Sequence, residues 1–168
     1  DHCVQLMAEA AAIETARRYG PQPGHWSIGA LGKLGGKELT AGSDLDLIII
    51  FDAEEGVAGE AGHWFTKFAQ RLITAISVET AEGSLYEVDM RLRPSGRSGP
   101  VATSIKAFDR YQHEDAWTWE LMALTRLRPV AGDEALGQRA LEIARHAIIH
   151  GKPEAERKTD ILDMRRRL

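Results

Sequence analysis

Phe65, Phe68, Ala69, Leu72, Ile73 and Ile76 recur at i, i+3, i+4, i+7, i+8 and i+11, the stripe of a helix packed along one side. Residues 3–18 are rich in Ala, Met, Leu and Glu, lack Gly and Pro, and stop at Tyr19-Gly20-Pro21, which predicts a helix ahead of it. Period two replaces these patterns in "LYEVDMRLR" (85–93): Tyr86, Val88, Met90 and Leu92 face one way, and Glu87, Asp89, Arg91 and Arg93 the other. One face of that strand belongs to a core and the other is wholly charged. Residues 44–51 predict a strand of a different kind, because Ile48, Ile49, Ile50 and Phe51 offer apolar groups to both faces, as a central strand covered on both sides requires.

The remaining elements are read from punctuation. "HWSIGALG" (25–32) is a short first strand, "GKLGGKEL" (32–39) a glycine-rich connection, and "DAEEGVAGEAG" (52–62) a loop. Pro94, Gly96, Gly99 and Pro100 make a turn, beyond which the chain reads as helical almost throughout, with Ser104 and Asp133 as N-caps. The expected order is helix, strand, strand, helix, strand, then a helical region, with no internal repeat. A helix-plus-sheet core over 1–103 followed by a helical region over 104–168 is the division this suggests. The chain lacks an initiator Met and closes on the amphipathic "DILDMRRRL", so it reads as a domain of a longer protein.

Composition narrows the class. A length of 168 residues, 43% of them hydrophobic, suits one domain with a real core. No apolar run approaches the roughly 20 residues that span a bilayer, and no secretory layout opens the chain, so a soluble, cytoplasmic protein without membrane contact is expected. A net charge of −4 and a pI near 5.9 argue against a general nucleic-acid partner, although Arg91, Arg93 and Arg97 form a local basic cluster. Cys3 is the single cysteine, which excludes an internal disulfide and a Cys-type zinc site. The six histidines show no metal-ligand spacing, and none is assigned a catalytic role.

The chemistry concentrates at "GSDLDLIIIF" (42–51). Residues i and i+2 of a strand share a face, so Asp44 and Asp46 project together, and two unpaired carboxylates that close call for a cation. Alone, the pair also fits a turn residue followed by a salt-bridge partner. Asp89, on the charged face of the third strand, completes a three-carboxylate cluster if strands two and three are neighbours. Hard oxygen ligands suit Mg²⁺, and two such ions about 3.5–4 Å apart clamp the attacking and leaving oxygens of phosphoryl or nucleotidyl transfer. Gly42 and Ser43 would let backbone N–H groups and the Ser43 hydroxyl approach a triphosphate, or else form an ordinary turn. A P-loop is absent, because Lys37 is followed by Glu38 rather than Ser or Thr. Lys33 and Lys37 are phosphate-charge candidates or plain solvated lysines. Arg91 and Arg93 either meet phosphate or pair with acids such as Glu87. Phe108, Tyr111, Trp117 and Trp119 lie in helical sequence, where aromatic stripes are more often core than ligand platform.

Gly32-Lys33-Leu34-Gly35-Gly36 leading to Gly42-Ser43-Asp44-Leu45-Asp46-Leu47, then Tyr86-Glu87-Val88-Asp89-Met90-Arg91-Leu92-Arg93-Pro94, resembles the glutamine synthetase adenylyltransferase family. The likeness continues through "SGRSGP", "AFDRYQ", "EDAWTWE" and "RLRPVAGD", about residues 26–133. It implies an α+β, polymerase β-like nucleotidyltransferase fold, a small mixed sheet flanked by helices and followed by a helical region. Members carry two such domains, one adding AMP to a glutamine synthetase tyrosine and one removing it by phosphorolysis. Glu87, Ser95 and Trp117-Thr118-Trp119 resemble the adding half; Ala30 and Leu31 depart from the family, where an aromatic commonly precedes the Gly-Lys.

The resemblance further implies ATP as substrate and two Mg²⁺ ions, with Mn²⁺ the alternative, on Asp44, Asp46 and Asp89. Gly42, Ser43, Lys33, Arg91 and Arg93 would bind nucleotide, Asp89 would act as general base, and glutamine synthetase would be the protein substrate. A PII-type signalling protein would act through the full-length chain. Phosphorolytic removal, a non-catalytic nucleotide-sensing or docking domain, and a generic nucleotidyltransferase are the other readings.

Overall fold

A computed structural model of the chain describes residues 1–54, 56, 58–80, 83–84 and 86–167, with the side chains of residues 58, 80, 84, 97 and 167 left out. Glu55 and Val57 of the expected loop, Leu85 of the expected third strand and the Arg97 side chain lie outside the described residues.

Helix α1 (His2–Tyr19) presents Val4, Ala8, Ala11 and Thr15 inward, one per turn. Strand β1 (Gly24–Ala30) follows, then one turn of helix, α2 (Gly32–Gly35), where sequence suggested only a connection. Strand β2 (Leu45–Ala53) runs antiparallel to β1, from Gly24 opposite Ala53 to Ala30 opposite Leu47. It extends into the expected loop, and helix α3 (Ala58–Ser77) begins before that loop was to end. A hairpin of β3 (Glu79–Thr80) and β4 (Gly83–Ser84) comes next.

The third expected strand survives as β5 (Val88–Asp89), two residues long and parallel to β2. Its alternation breaks after Met90: Tyr86, Val88 and Met90 join one core and Leu92 the other. The chain leaves the sheet there because Arg93 folds back, donating from Nη1 to the Met90 carbonyl at 2.6 Å.

Two strands interrupt the region expected to be helical. After a 3₁₀ turn (Gly96–Ser98), β6 (Ala102–Ser104) pairs parallel with the far half of β2. Helices α4 (Ile105–Glu114) and α5 (Thr118–Leu124) then lead to β7 (Arg128–Gly132), antiparallel to β1, and the chain closes with α6 (Glu134–His150) and α7 (Glu154–Arg167). Ser104 and Asp133 cap α4 and α6, accepting from the N–H groups of Ala107 and Leu136. The sheet order is β5-β2-β1-β7, with β6 beside β5 on the same edge of β2.

This mixed sheet separates two cores. Leu45, Leu47, Ile49 and Phe51 of β2 face α1 and α3, where Phe65 stacks on Phe51 at 4.5 Å between ring centroids. Ile48 and Ile50 face α4, α5 and α6, among Phe108, Leu121, Leu136 and Ala144. Ile48, Ile49 and Ile50 are at most 1% exposed, each favouring the fold by roughly 1.5–3 kcal/mol relative to exposure. The strand is thereby fixed from both sides over Leu47–Phe51; Asp52 and Ala53 are partly exposed at its far end, and Asp46 is partly exposed at its uncovered first end.

Candidate active site

At that uncovered end, Asp46 lies opposite Asp89 in the parallel pairing of β2 and β5, next to the Leu45–Val88 pair. Side chains at matched positions of parallel neighbours emerge on the same face, so the two carboxylates are brought together. Asp44 is exposed and precedes the strand by one residue, yet it stays within electrostatic reach of Asp46. Burial, then the charge of Asp89, then that of Asp44 push the Asp46 carboxyl above its ordinary value, while Arg91 and Lys33 pull it back.

Gly32 makes room for this carboxyl. With φ at +49°, it adopts a left-handed conformation that side chains disfavour, and an added Cβ would meet Asp46 Oδ2 at 2.0 Å. The start of the glycine-rich connection therefore packs as a wall against Asp46. Lys33, the next residue, is exposed beside it.

The expected nucleotide-binding residues behave differently from one another. Gly42 turns at φ +78° with open space around it. Ser43 is buried, and its groups face into the turn: its N–H donates to the Thr40 carbonyl at 3.0 Å and its hydroxyl accepts from the Thr40 N–H at 3.1 Å. Arg91 is engaged with Asp89, its backbone N–H donating to Oδ1 at 2.8 Å and its Nε to Oδ2 at 2.6 Å, with Nη2 also on Oδ2. Arg93 is half-buried and ties the turn to the Met90 and Gly99 carbonyls; burial lowers its pKa and Asp89 partly offsets that.

Sequence reasoning missed the supports. Arg126 reaches the Gly32 carbonyl at 3.4 Å and Glu38 at 2.7 Å. Arg128 binds the Leu34 and Gly35 carbonyls at 2.8 and 3.2 Å and pairs with Asp1. Arg128 thus satisfies the C-terminal carbonyls of α2 from β7, and Arg126, just before β7, adds a donor to the carbonyl of the helix's first residue. Behind the turn, the buried Glu120 carboxylate accepts from the Tyr111 hydroxyl at 2.9 Å and the Trp117 N–H at 2.8 Å. The Tyr111 oxygen also accepts from the Ser95 backbone, which joins the turn after Asp89 to α4 and α5. The aromatic stripe divides: Phe108 is core, but Trp117 and Trp119 are 68% and 42% exposed, contrary to a core reading, because Glu120 rather than the indoles anchors the start of α5.

The donor set suits a hard divalent cation: carboxylate oxygens, like charges raising one another, and an open side. Among the described residues, no three His, Cys, Asp or Glu side chains already converge as metal ligands. No helix among them is long and apolar enough to cross a membrane.

Residues 2–143 match the family model described as Glutamate-ammonia ligase adenylyltransferase. The chain belongs to this family. Within the adenylyltransferase family, it is 47% identical over 176 aligned residues to the bifunctional glutamine synthetase adenylyltransferase/adenylyl-removing enzyme of Agrobacterium fabrum, covering 98% of this chain and 18% of that protein. The enzyme of the same name from Brucella suis is 54% identical over 135 residues, 76% of this chain and 14% of that protein. That of Rhizobium meliloti is 44% identical over 98% of this chain. The chain thus spans less than a fifth of the length of these adenylyltransferase relatives.

Proposed function

We propose that this chain is a nucleotidyl-transfer unit that moves AMP from ATP to a tyrosine hydroxyl of glutamine synthetase and releases pyrophosphate. The observation that carries the reading is the register of Asp46 with Asp89 on adjacent parallel strands, with Asp44 beside them. Asp44, Asp46 and Asp89 would hold divalent Mg²⁺, which when bound supplies charge neutralisation of the triphosphate and a lowered pKa at the acceptor hydroxyl. The tyrosyl oxygen attacks the α-phosphorus, the bond to the β-phosphate oxygen breaks, and the hydroxyl proton passes to Asp89. Lys33 and Arg91 would take up negative charge on the polyphosphate. Arg126 and Arg128 hold the glycine wall, and Glu120 with Tyr111 holds the turn behind Asp89.

Removal of AMP is the second reading, favoured by the relatives' names, which carry both activities. There inorganic phosphate attacks the same phosphorus, yielding ADP and free tyrosine. The chain is to be given unmodified glutamine synthetase with ATP and Mg²⁺, and separately adenylylated glutamine synthetase with phosphate. AMP incorporation in the first arm is expected. ADP release in the second arm alone would assign the removing role, and inertness of the folded chain in both would overturn transfer in favour of a nucleotide-sensing or docking role.

A further inference from the structure

Arg91 engages both oxygens of the Asp89 carboxylate. One oxygen takes the Arg91 backbone N–H and the other takes both Nε and Nη2 of the same residue. A backbone donor uses one lone pair and leaves that oxygen able to ligate, whereas a guanidinium laid along the carboxylate puts positive charge where a cation must come. The two partners are unequally held. Asp89 is 13% exposed and fixed by strand pairing with Asp46, while the Arg91 side chain is 63% exposed. Among the described residues, that guanidinium is paired with Asp89, and it feels the charges of Asp44 and Asp46 as well. It is the more exposed member of the pair, and with Lys33 it offsets the charge of the acids.

We infer that Arg91 is an exchangeable counter-ion: it occupies Asp89 until a divalent cation takes its place, and the released guanidinium then turns to the polyphosphate. This rests on the metal-dependent reading above. Its consequence is coupling between the two ligands. Cation entry frees a phosphate-binding group, and an anion that captures Arg91 frees a cation ligand, so each favours the other. Arg91 is also a brake on cation binding without nucleotide.

The test is Mn²⁺ binding to the 168-residue chain without nucleotide, followed by the electron paramagnetic resonance of the free ion. Arg91→Gln removes the competing charge and should bind Mn²⁺ about two- to fivefold more tightly than the unchanged chain, the range for a partly exposed ion pair. Arg91→Lys keeps charge but not the fork and should fall between them. Equal or weaker binding by Arg91→Gln, with Asp46→Asn still abolishing the Mn²⁺ signal change, overturns the exchange and leaves the metal site standing. Absence of Mn²⁺ binding in all the proteins overturns both.

Discussion

Asp46 and Asp52 stand on one face of β2 and are treated in opposite ways. Asp52, toward the far end, meets Arg139 of α6 at 2.6 Å and is neutralised by a single partner at the surface. Asp46 has other carboxylates for neighbours, with Arg91 and Lys33 only partly offsetting them. The strand and its face are shared, so the contrast comes from what flanks each end: a helix that brings a cation, or a parallel strand that brings another acid. A fold selected for stability alone has no reason to keep the second arrangement.

The sharpest way to break this contrast is to neutralise each acid in turn. Asp46→Asn or Asp89→Asn should lower AMP incorporation into glutamine synthetase about a thousandfold or more, ~4 kcal/mol, with the circular dichroism unchanged. Asp52→Asn should stay within about twofold, as expected for a charge outside the transition-state contacts. A comparable loss at Asp52 would erase the distinction. Next in size, Ile48→Ala between the two ends should cost about 3 kcal/mol in urea unfolding, since a fully buried side chain leaves a cavity.

Smaller effects should differ in sign. The Asp46 carboxyl sits above its ordinary value of 3.8, so the folded state holds its proton more readily than the unfolded chain. Its contribution favours folding fully below 3.8 and is lost as pH rises through the folded-state value. Asp46→Asn should therefore raise the melting temperature at neutral pH by about 1–2 °C, roughly 0.5 kcal/mol after discounting for solvent screening, with the gain vanishing in acid. Asp52→Asn should lower stability by less than about 0.5 kcal/mol, and added salt should reduce that loss.

The elements legible in sequence were those whose own residues impose them. The apolar stripe of α3, the alanine-rich α1 and the two-sided Ile48–Phe51 segment needed no partner to be recognised. β7 was not legible, because "RPVAG" carries a proline and a glycine and becomes a strand only by pairing with β1. β6 has three residues, too few for a period. The alternation over 85–93 was real as far as Met90 and misleading beyond it, since Arg93 satisfies backbone carbonyls that a longer strand would have paired across the sheet. The sequence suggested that Asp46 and Asp89 lie close, but not that they share a parallel register. Nor did it suggest the Arg91 clasp on Asp89, which depends on how the chain leaves the sheet.

Chain order also gives the site a history. β2 and β5, with Asp46 and Asp89, have been synthesised by residue 89, whereas Arg126, Arg128 and β7 emerge later. At about 5–20 residues per second on the ribosome, roughly 2–7 seconds separate the two. Through that interval the Gly35 carbonyl lacks the Arg128 guanidinium that later holds it, while those of Gly32 and Leu34 have only the backbone N–H groups of Gly36 and Lys37 as partners. Asp46 of the nascent chain is thus in place before the clamps on the wall it leans against.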